Sequence, residues 1–325
     1  MMKKQFAVLL ALLFTAGLAF GADAPPAKSI RIAAVSQPQL IRPKAAAVKE
    51  IDRLARLAKQ DVAELVLFPE VIVNGFDDTD DAYEPPDSPV YRKLGRIAAD
   101  LKLYLVVGMK IRDDKKCHRN AVAVFSPEGK VVYTYCKRFM PPDELRSAST
   151  PGPVDQPVWN SPWGKIGFAI CWDMNCDALF DHYAREKVKL ILFSTYFPAG
   201  KILNQRCFEL GMHAVSSHAQ GFESYMVDDI GRTTATADMF SPVMTRTVNL
   251  NSAVRSLTRM DLVRKIREKY GDQLTIETFR PEARVRFSAD PAKLDIDRVM
   301  TEFNFPTVRA QLAEEEKNNA AARVR

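Results

Sequence analysis

Three apolar runs of this chain each stop on a chemically reactive side chain. Val62-Ala-Glu-Leu-Val-Leu-Phe-Pro-Glu70 ends on a carboxylate, Val131-Val-Tyr-Thr-Tyr-Cys-Lys137 on an ammonium, and Gly164-Lys-Ile-Gly-Phe-Ala-Ile-Cys171 on a thiol. Short apolar runs of this kind read as buried strands. Side chains delivered at the C-terminal edges of such strands line the crevice of an open α/β sheet. A glutamate, a lysine and a cysteine placed there supply a base, a cation and a nucleophile.

The rest of the chain alternates in the same way. A short strand is expected over residues 30–35, followed by a helix over 44–60 whose Val48, Ile51, Leu54, Ala55 and Ala58 share a face. After a loop rich in Asp and Pro over 73–87, Ser88-Pro89 gives a cap and first-turn pair for a second helix. A buried strand over 103–109 and a hairpin over 120–135, turning at Ser126-Pro-Glu-Gly129, lead to Lys137. Beyond Cys171 come a helix over 178–187, a strand over 188–194, a longer helix over 201–219, and two strands near 222–228 and 243–248. Two sheets covered by helices are the expected architecture. Residues 252–325 are charged and helix-leaning, with a strand expected over 283–288. They read as a C-terminal extension with no legible function, either packing on a partner subunit or ending as a frayed terminus, behind one hydrolytic domain over 22–251.

Residues 1–21 carry Lys3, Lys4 and an apolar stretch from Phe6 to Phe20, ending in small residues at Ala19-Phe-Gly21. This is the pattern of a secretory signal. The run falls short of the roughly 20 residues a membrane span needs, so an exported, periplasmic or secreted protein, free of the membrane once the signal is removed, is expected. Losing Lys3 and Lys4 lowers the net charge from +6 to +4, a balance that points to neither nucleic acid nor a membrane surface. The five cysteines are odd in number and irregularly spaced, a poor disulfide framework, and free thiols are expected.

Each reactive residue taken singly has a bland reading. A cysteine at a strand end is commonly core filler, Glu70 a solvated strand-end charge, and Lys137 a surface lysine. Cys171 gains from the break into Trp172-Asp173, where backbone N–H groups turn outward and can hold an oxyanion. The ordered set of strand-Phe-Pro-Glu, aromatic-x-Lys after a hairpin, and Gly-Lys-Ile-Gly-x-x-Ile-Cys-Trp-Asp resembles the nitrilase, or carbon-nitrogen hydrolase, superfamily. The motifs span residues 62–173 and the wider pattern about 30–250.

That resemblance implies a four-layer α-β-β-α sandwich, commonly a homodimer or higher homo-oligomer, with Glu70, Lys137 and Cys171 as a catalytic triad and with no metal and no organic cofactor. It implies hydrolysis of a small carboxamide through a thioester on Cys171, with N-carbamoyl compounds second and nitriles third. Glu144, seven residues past Lys137, matches a second glutamate that orients the lysine and substrate, although Asp143 competes for the part. Trp172 supplies a backbone amide to the oxyanion, and Asn74 and Tyr196 are candidate substrate contacts on loops beside the pocket. Two departures stand out. Asn175-Cys176-Asp177 replaces the Arg-Phe-Pro-Glu of many amidase-like members, and Asp173 stands where nitrilases proper carry Glu.

Other classes fare worse. A cysteine peptidase needs a histidine partner, and none of His118, His182, His213 and His218 has a suitable setting. Asp77-Asp-Thr-Asp-Asp81 lacks the glycine and distal glutamate of a calcium loop, and no phosphate-binding glycine motif is present. An exported binding protein that kept the fold without the chemistry would have lost one of the three reactive residues, and all three are there.

Overall fold

The computed structural model describes residues 27–323 apart from 38 and 114, so the secretory signal expected over residues 1–21 lies outside the described residues. Along the chain run β1 (Ser29–Val35), α1 (Lys44–Gln60), β2 (Leu65–Leu67), α2 (Pro89–Leu101), β3 (Tyr104–Arg112), β4 (His118–Phe125) and β5 (Val131–Cys136). They are followed by α3 (Pro142–Leu145), β6 (Trp159–Ser161), β7 (Gly164–Ile170), α4 (Asp177–Arg185) and β8 (Leu190–Thr195). Next come α5 (Lys201–Leu210), β9 (His213–His218), β10 (Ser224–Val227), β11 (Thr233–Ala237) and β12 (Val243–Asn249). The C-terminal part contains β13 (Ser252–Ser256), α6 (Met260–Tyr270), β14 (Thr275–Phe279), β15 (Arg284–Ser288), α7 (Ile296–Glu302) and α8 (Val308–Arg323).

Two six-stranded sheets result, in the orders β12-β1-β2-β3-β4-β5 and β11-β10-β9-β8-β7-β6. Alternation along each strand sends one set of side chains outward and the other inward. Ala33, Val35, Val66 and Val107 face the buried sides of α1 and α2, whereas Ile32, Ala34, Leu65 and Leu67 meet Phe168, Ile170, Leu190 and Leu192 of the second sheet. The outer face of that sheet buries Ala169, Ile191 and Phe193 with Leu179, Phe180 and Leu203 of α4 and α5. The four layers are therefore α-β-β-α, held by an apolar slab between the sheets.

α1 forms over the expected span because its apolar residues recur on one face, and the same five are buried. α2 starts where Ser88 accepts from the Tyr91 N–H with Pro89 at the first position. One expected helix is corrected. The helix read over 201–219 stops at Leu210, because Gly211 adopts φ +63°, and residues 213–218 form β9 beside β8. The strand β11 went unread, and the C-terminal part is a sheet in the order β13-β15-β14 with its own core around Ile266, Phe287, Ile296 and Val299.

Candidate active site

Both central sheets deliver residues to one edge. Lys137 follows β5 directly and Glu70 lies three residues beyond β2, both on the first sheet, while Cys171 follows β7 on the second. Phe68-Pro69-Glu70 passes so close to β3 that Gly108 is required there. A Cβ at that position would sit 2.2 Å from the Pro69 carbonyl oxygen and 2.7 Å from the Glu70 Cα. Cys171 itself adopts φ +48°, an uncommon conformation for a side-chain-bearing residue, where the strand turns into a short 3-10 helix over Cys171–Asn175. The turn ends the strand at the sulfur-bearing residue, which lies within reach of the Glu70 and Lys137 charges of the first sheet.

The charges form a closed cluster. The Lys137 Nζ, only 1 % exposed, lies 3.1 Å from Glu70 Oε1 and also donates to Glu144 Oε2. Asn120 on β4 uses both amide hydrogens, donating to Glu70 Oε1 and Glu144 Oε1 at 2.8 Å each. The second oxygen of Glu70 accepts from the Tyr196 backbone N–H at 3.0 Å. Each buried carboxylate oxygen of Glu70 is thus satisfied, which is what makes burial of the charge tolerable.

Protonation follows from this arrangement. Burial alone favours loss of the Lys137 proton, but the charges of Glu70 and Glu144 outweigh it and hold the ammonium above its ordinary range. Burial and then the charge of Glu70 push the Cys171 thiol up, opposed by Lys137. The sulfur therefore rests as a thiol, and its proton must leave toward a base as the sulfur attacks.

Asp173 fixes the relative position of the two sheets' contributions. Its side chain, fully buried, accepts from the Arg138 and Phe139 N–H groups at 3.1 and 2.8 Å and from the Ile170 N–H at 2.9 Å. The Tyr135 hydroxyl donates to it at 2.9 Å. One carboxylate thereby ties the segments on either side of Lys137 to the residue before Cys171. Burial raises its carboxyl from 3.8 to about 6, against the lowering effect of those hydrogen bonds.

Of the residues singled out from the sequence, Glu70, Lys137, Cys171 and Glu144 come together, and Tyr196 joins them through its backbone. The Tyr196 ring packs edge-on against Phe76 of the 73–87 loop at 4.6 Å, and Trp172 is 40 % exposed beside Phe197. Asp143 does not reach the cluster; it is exposed and pairs with Arg146. Asn74 is also corrected. Its side chain is completely buried, donates to the Ala82 carbonyl and Glu84, and accepts from the Lys110 N–H, so it braces the loop and is not free to meet a substrate. Asn120 and Tyr135 went unread because an asparagine opening a strand and a tyrosine within one carry no motif. Asp173 stands in the Cys-Trp-Asp motif, but the motif carries no trace of the distant backbone groups that the carboxylate accepts from. Among the described residues no cluster of three or more His, Cys, Asp or Glu is arranged to hold a metal ion.

Comparison with known proteins agrees with the fold. The carbon-nitrogen hydrolase family model matches residues 31–256. The omega-amidase NIT2 of Mus musculus is 26 % identical over 153 residues, 44 % of this chain and 55 % of its own length. A citrullinase of Francisella tularensis is 26 % identical over 112 residues, 34 % of this chain and 39 % of that protein. The matched stretches span about two-fifths to just over half of the first curated relatives. Among solved structures, Nit3 of Saccharomyces cerevisiae superposes with a TM-score of 0.62 at 18 % identity, covering 78 % of this chain and 98 % of that one. A mutant amidase of Nesterenkonia gives 0.61 at 18 % identity, covering 75 % and 99 %. These structures share the fold.

Proposed function

Because this chain belongs to the carbon-nitrogen hydrolase family, we propose that it hydrolyses the C–N bond of a small carboxamide by way of a thioester on Cys171. The observation that carries this reading is one ammonium, Lys137, held between the carboxylates of Glu70 and Glu144 at the sheet edge that also presents Cys171. In the first step Glu70 takes the Cys171 proton as the sulfur attacks the carbonyl carbon. The carbonyl electron pair moves to oxygen, where Lys137 Nζ and the Trp172 N–H stabilise the developing charge, an effect on the order of 10²- to 10³-fold per donor. Glu70 then returns the proton to the leaving nitrogen, the C–N bond breaks and ammonia departs. Water, losing a proton to Glu70, attacks the thioester, the C–S bond breaks, and the carboxylic acid leaves as the sulfur regains its proton. Glu144 and Asn120 act on the geometry of Lys137 and Glu70, and the Tyr196 backbone holds the other Glu70 oxygen.

The amide comes first because omega-amidases stand among the relatives, and the citrullinase keeps a ureido compound as the second arm. Ammonia release from a panel of amides, ureido acids and nitriles, compared between the protein and Cys171→Ala, tests the reading. Release by the parent protein alone supports it. No release from any compound, with Cys171 unmodified and reduced by mass, returns the chain to a binding role on the same fold. Export and homo-oligomerisation belong to the same proposal; the mass of the protein recovered from the producing cells and its sedimentation check them.

A further inference from the structure

The C-terminal part of the chain roofs a cavity of about 700 Å³ at the end of the sandwich opposite the reactive edge. Gly164 and Lys165 at the start of β7, Lys189 just before β8 and Met212 just before β9 line it. Cys171, Thr195 and His218 mark the other ends of those strands. A seven-residue strand at about 3.3 Å per residue puts roughly 20 Å between the two sites. Trp163, Met212 and Leu250 from the sandwich meet Val254, Met300 and Phe305 from the extension around the cavity, forming the apolar part of a wall that also carries Lys187, Glu209, Asp297 and Arg309.

One cation of the wall is both largely buried and without an ion-pair partner. Arg255 on β13 is 9 % exposed, and its guanidinium donates only to two backbone carbonyls, Phe305 at 2.9 Å and Val254 at 2.8 Å. No carboxylate among the described residues pairs with it. The contrast with Arg286 on the adjoining β15 is direct, since that side chain is held by Asp228, Asp229 and Glu277. Lys28 and Lys189, also at the cavity, are each matched by acids, Lys28 by Asp295 and Asp297 and Lys189 by Asp297. Arg255 thus has no carboxylate in ion-pair contact, Asp297 of the same cavity reaching it only as a longer-range charge, and a largely buried guanidinium without an ion-pair partner is costly unless an anion completes it.

We propose that this cavity binds a monocarboxylate with an apolar body, its carboxylate on Arg255 and its chain against the walls contributed by the sandwich and the extension. Among the described residues Arg255 and the exposed Lys187 are the cavity cations without an ion-pair partner, and of the two the buried planar guanidinium, with a free N–H face, is the donor set that grips a carboxylate. A volume of this size lies within the range of small-molecule sites. The proposal stands apart from the hydrolytic reading, because the two sites share no residue.

Octanoate is the probe, with octanol as its neutral counterpart, and Trp163 in the cavity wall gives a fluorescence signal. Octanoate should bind the full protein at least tenfold more tightly than octanol. Arg255→Met should lose at least tenfold in octanoate affinity while hydrolysis at Cys171 is unchanged. Ala184→Trp, on α4 at the cavity wall, takes up part of the hollow and should also weaken octanoate binding at least tenfold. Equal binding of octanoate and octanol, no binding of either, or full octanoate affinity in folded Arg255→Met overturns the proposal. Should Arg255→Met fail to fold, wild-type affinity in folded Ala184→Trp overturns it equally. Octanoate held as a product at the reactive edge would be insensitive to both changes.

Discussion

Replacing Asp173 separates two roles that its carboxylate combines. With Asp173→Ala, the N–H groups of Arg138, Phe139 and Ile170 and the Tyr135 hydroxyl all lose their acceptor. Each buried orphan costs about 1–3 kcal/mol. Against that, the ionised carboxylate is disfavoured in the fold. The interval from 3.8 to about 6, at about 1.36 kcal/mol per pH unit, amounts to roughly 3 kcal/mol at neutral pH. The alanine variant should therefore lose a net several kcal/mol. Asp173→Asn keeps one oxygen for the Arg138 and Phe139 amides and leaves chiefly the Ile170 N–H facing an NH₂ group. Its loss nearly cancels the relief from charge burial, so at pH 7 its stability should lie near that of the parent. The sign of the pH dependence is the decisive part. A raised folded pKa means the folded state binds the proton more tightly, so the contribution of Asp173 to stability is greatest below pH 3.8 and falls as pH rises through about 6. Urea unfolding at pH 4, 5, 6 and 7 should show the parent losing roughly 2.4 kcal/mol relative to Asp173→Asn across that window. A difference constant with pH, or one that grows in favour of the parent as pH rises, refutes the placement of a buried carboxylate here.

Other perturbations give sharper or simpler readouts. Gly108→Ala should displace the Pro69-Glu70 peptide, costing about 1–3 kcal/mol of stability by overpacking and on the order of 10²-fold in kcat by misplacing the base; steady-state kinetics and thermal melts check both. Glu144→Gln removes one of the two carboxylates that keep Lys137 charged, and amide turnover should fall at least tenfold, in the order-of-magnitude range of a lost oxyanion support, while the melting temperature changes little. Burial holds His218 down at about 4, so its contribution to stability is present above pH 6.5 and disappears as pH falls through 4; His218→Gln should flatten that acid loss in the same urea series. Cys207, fully buried, should resist iodoacetamide in the folded protein while half-buried Cys117 is labelled, as peptide mass mapping will show.

Strands and helices with one apolar face were legible because burial leaves a periodic trace, as in α1 and the hairpin before Lys137. β9 was not, because its sequence is half polar. Ser216 and Ser217 are buried in it with their hydroxyls spent on the carbonyls of Tyr225 and Val35, the latter 182 residues away in sequence. The same reason hid the support of the site. Glu70, Lys137 and Cys171 advertise themselves at strand ends, whereas Asn120 acquires its meaning only when the fold sets it 2.8 Å from two carboxylates 50 and 24 residues away. The C-terminal part carried little periodic signal because its three strands are short and its last helix, α8, is exposed along most of its length.

The division of the reactive residues between the sheets has a mechanical consequence. Glu70 and Lys137 ride on one sheet and Cys171 on the other, so the spacing between sulfur and base is set by the thickness of the apolar slab that separates them. Phe168, Leu67 and Tyr135 within that slab act as shims, and turnover becomes a gauge of their fit. A methylene removed there, far from any substrate, changes the gap that the reaction has to cross.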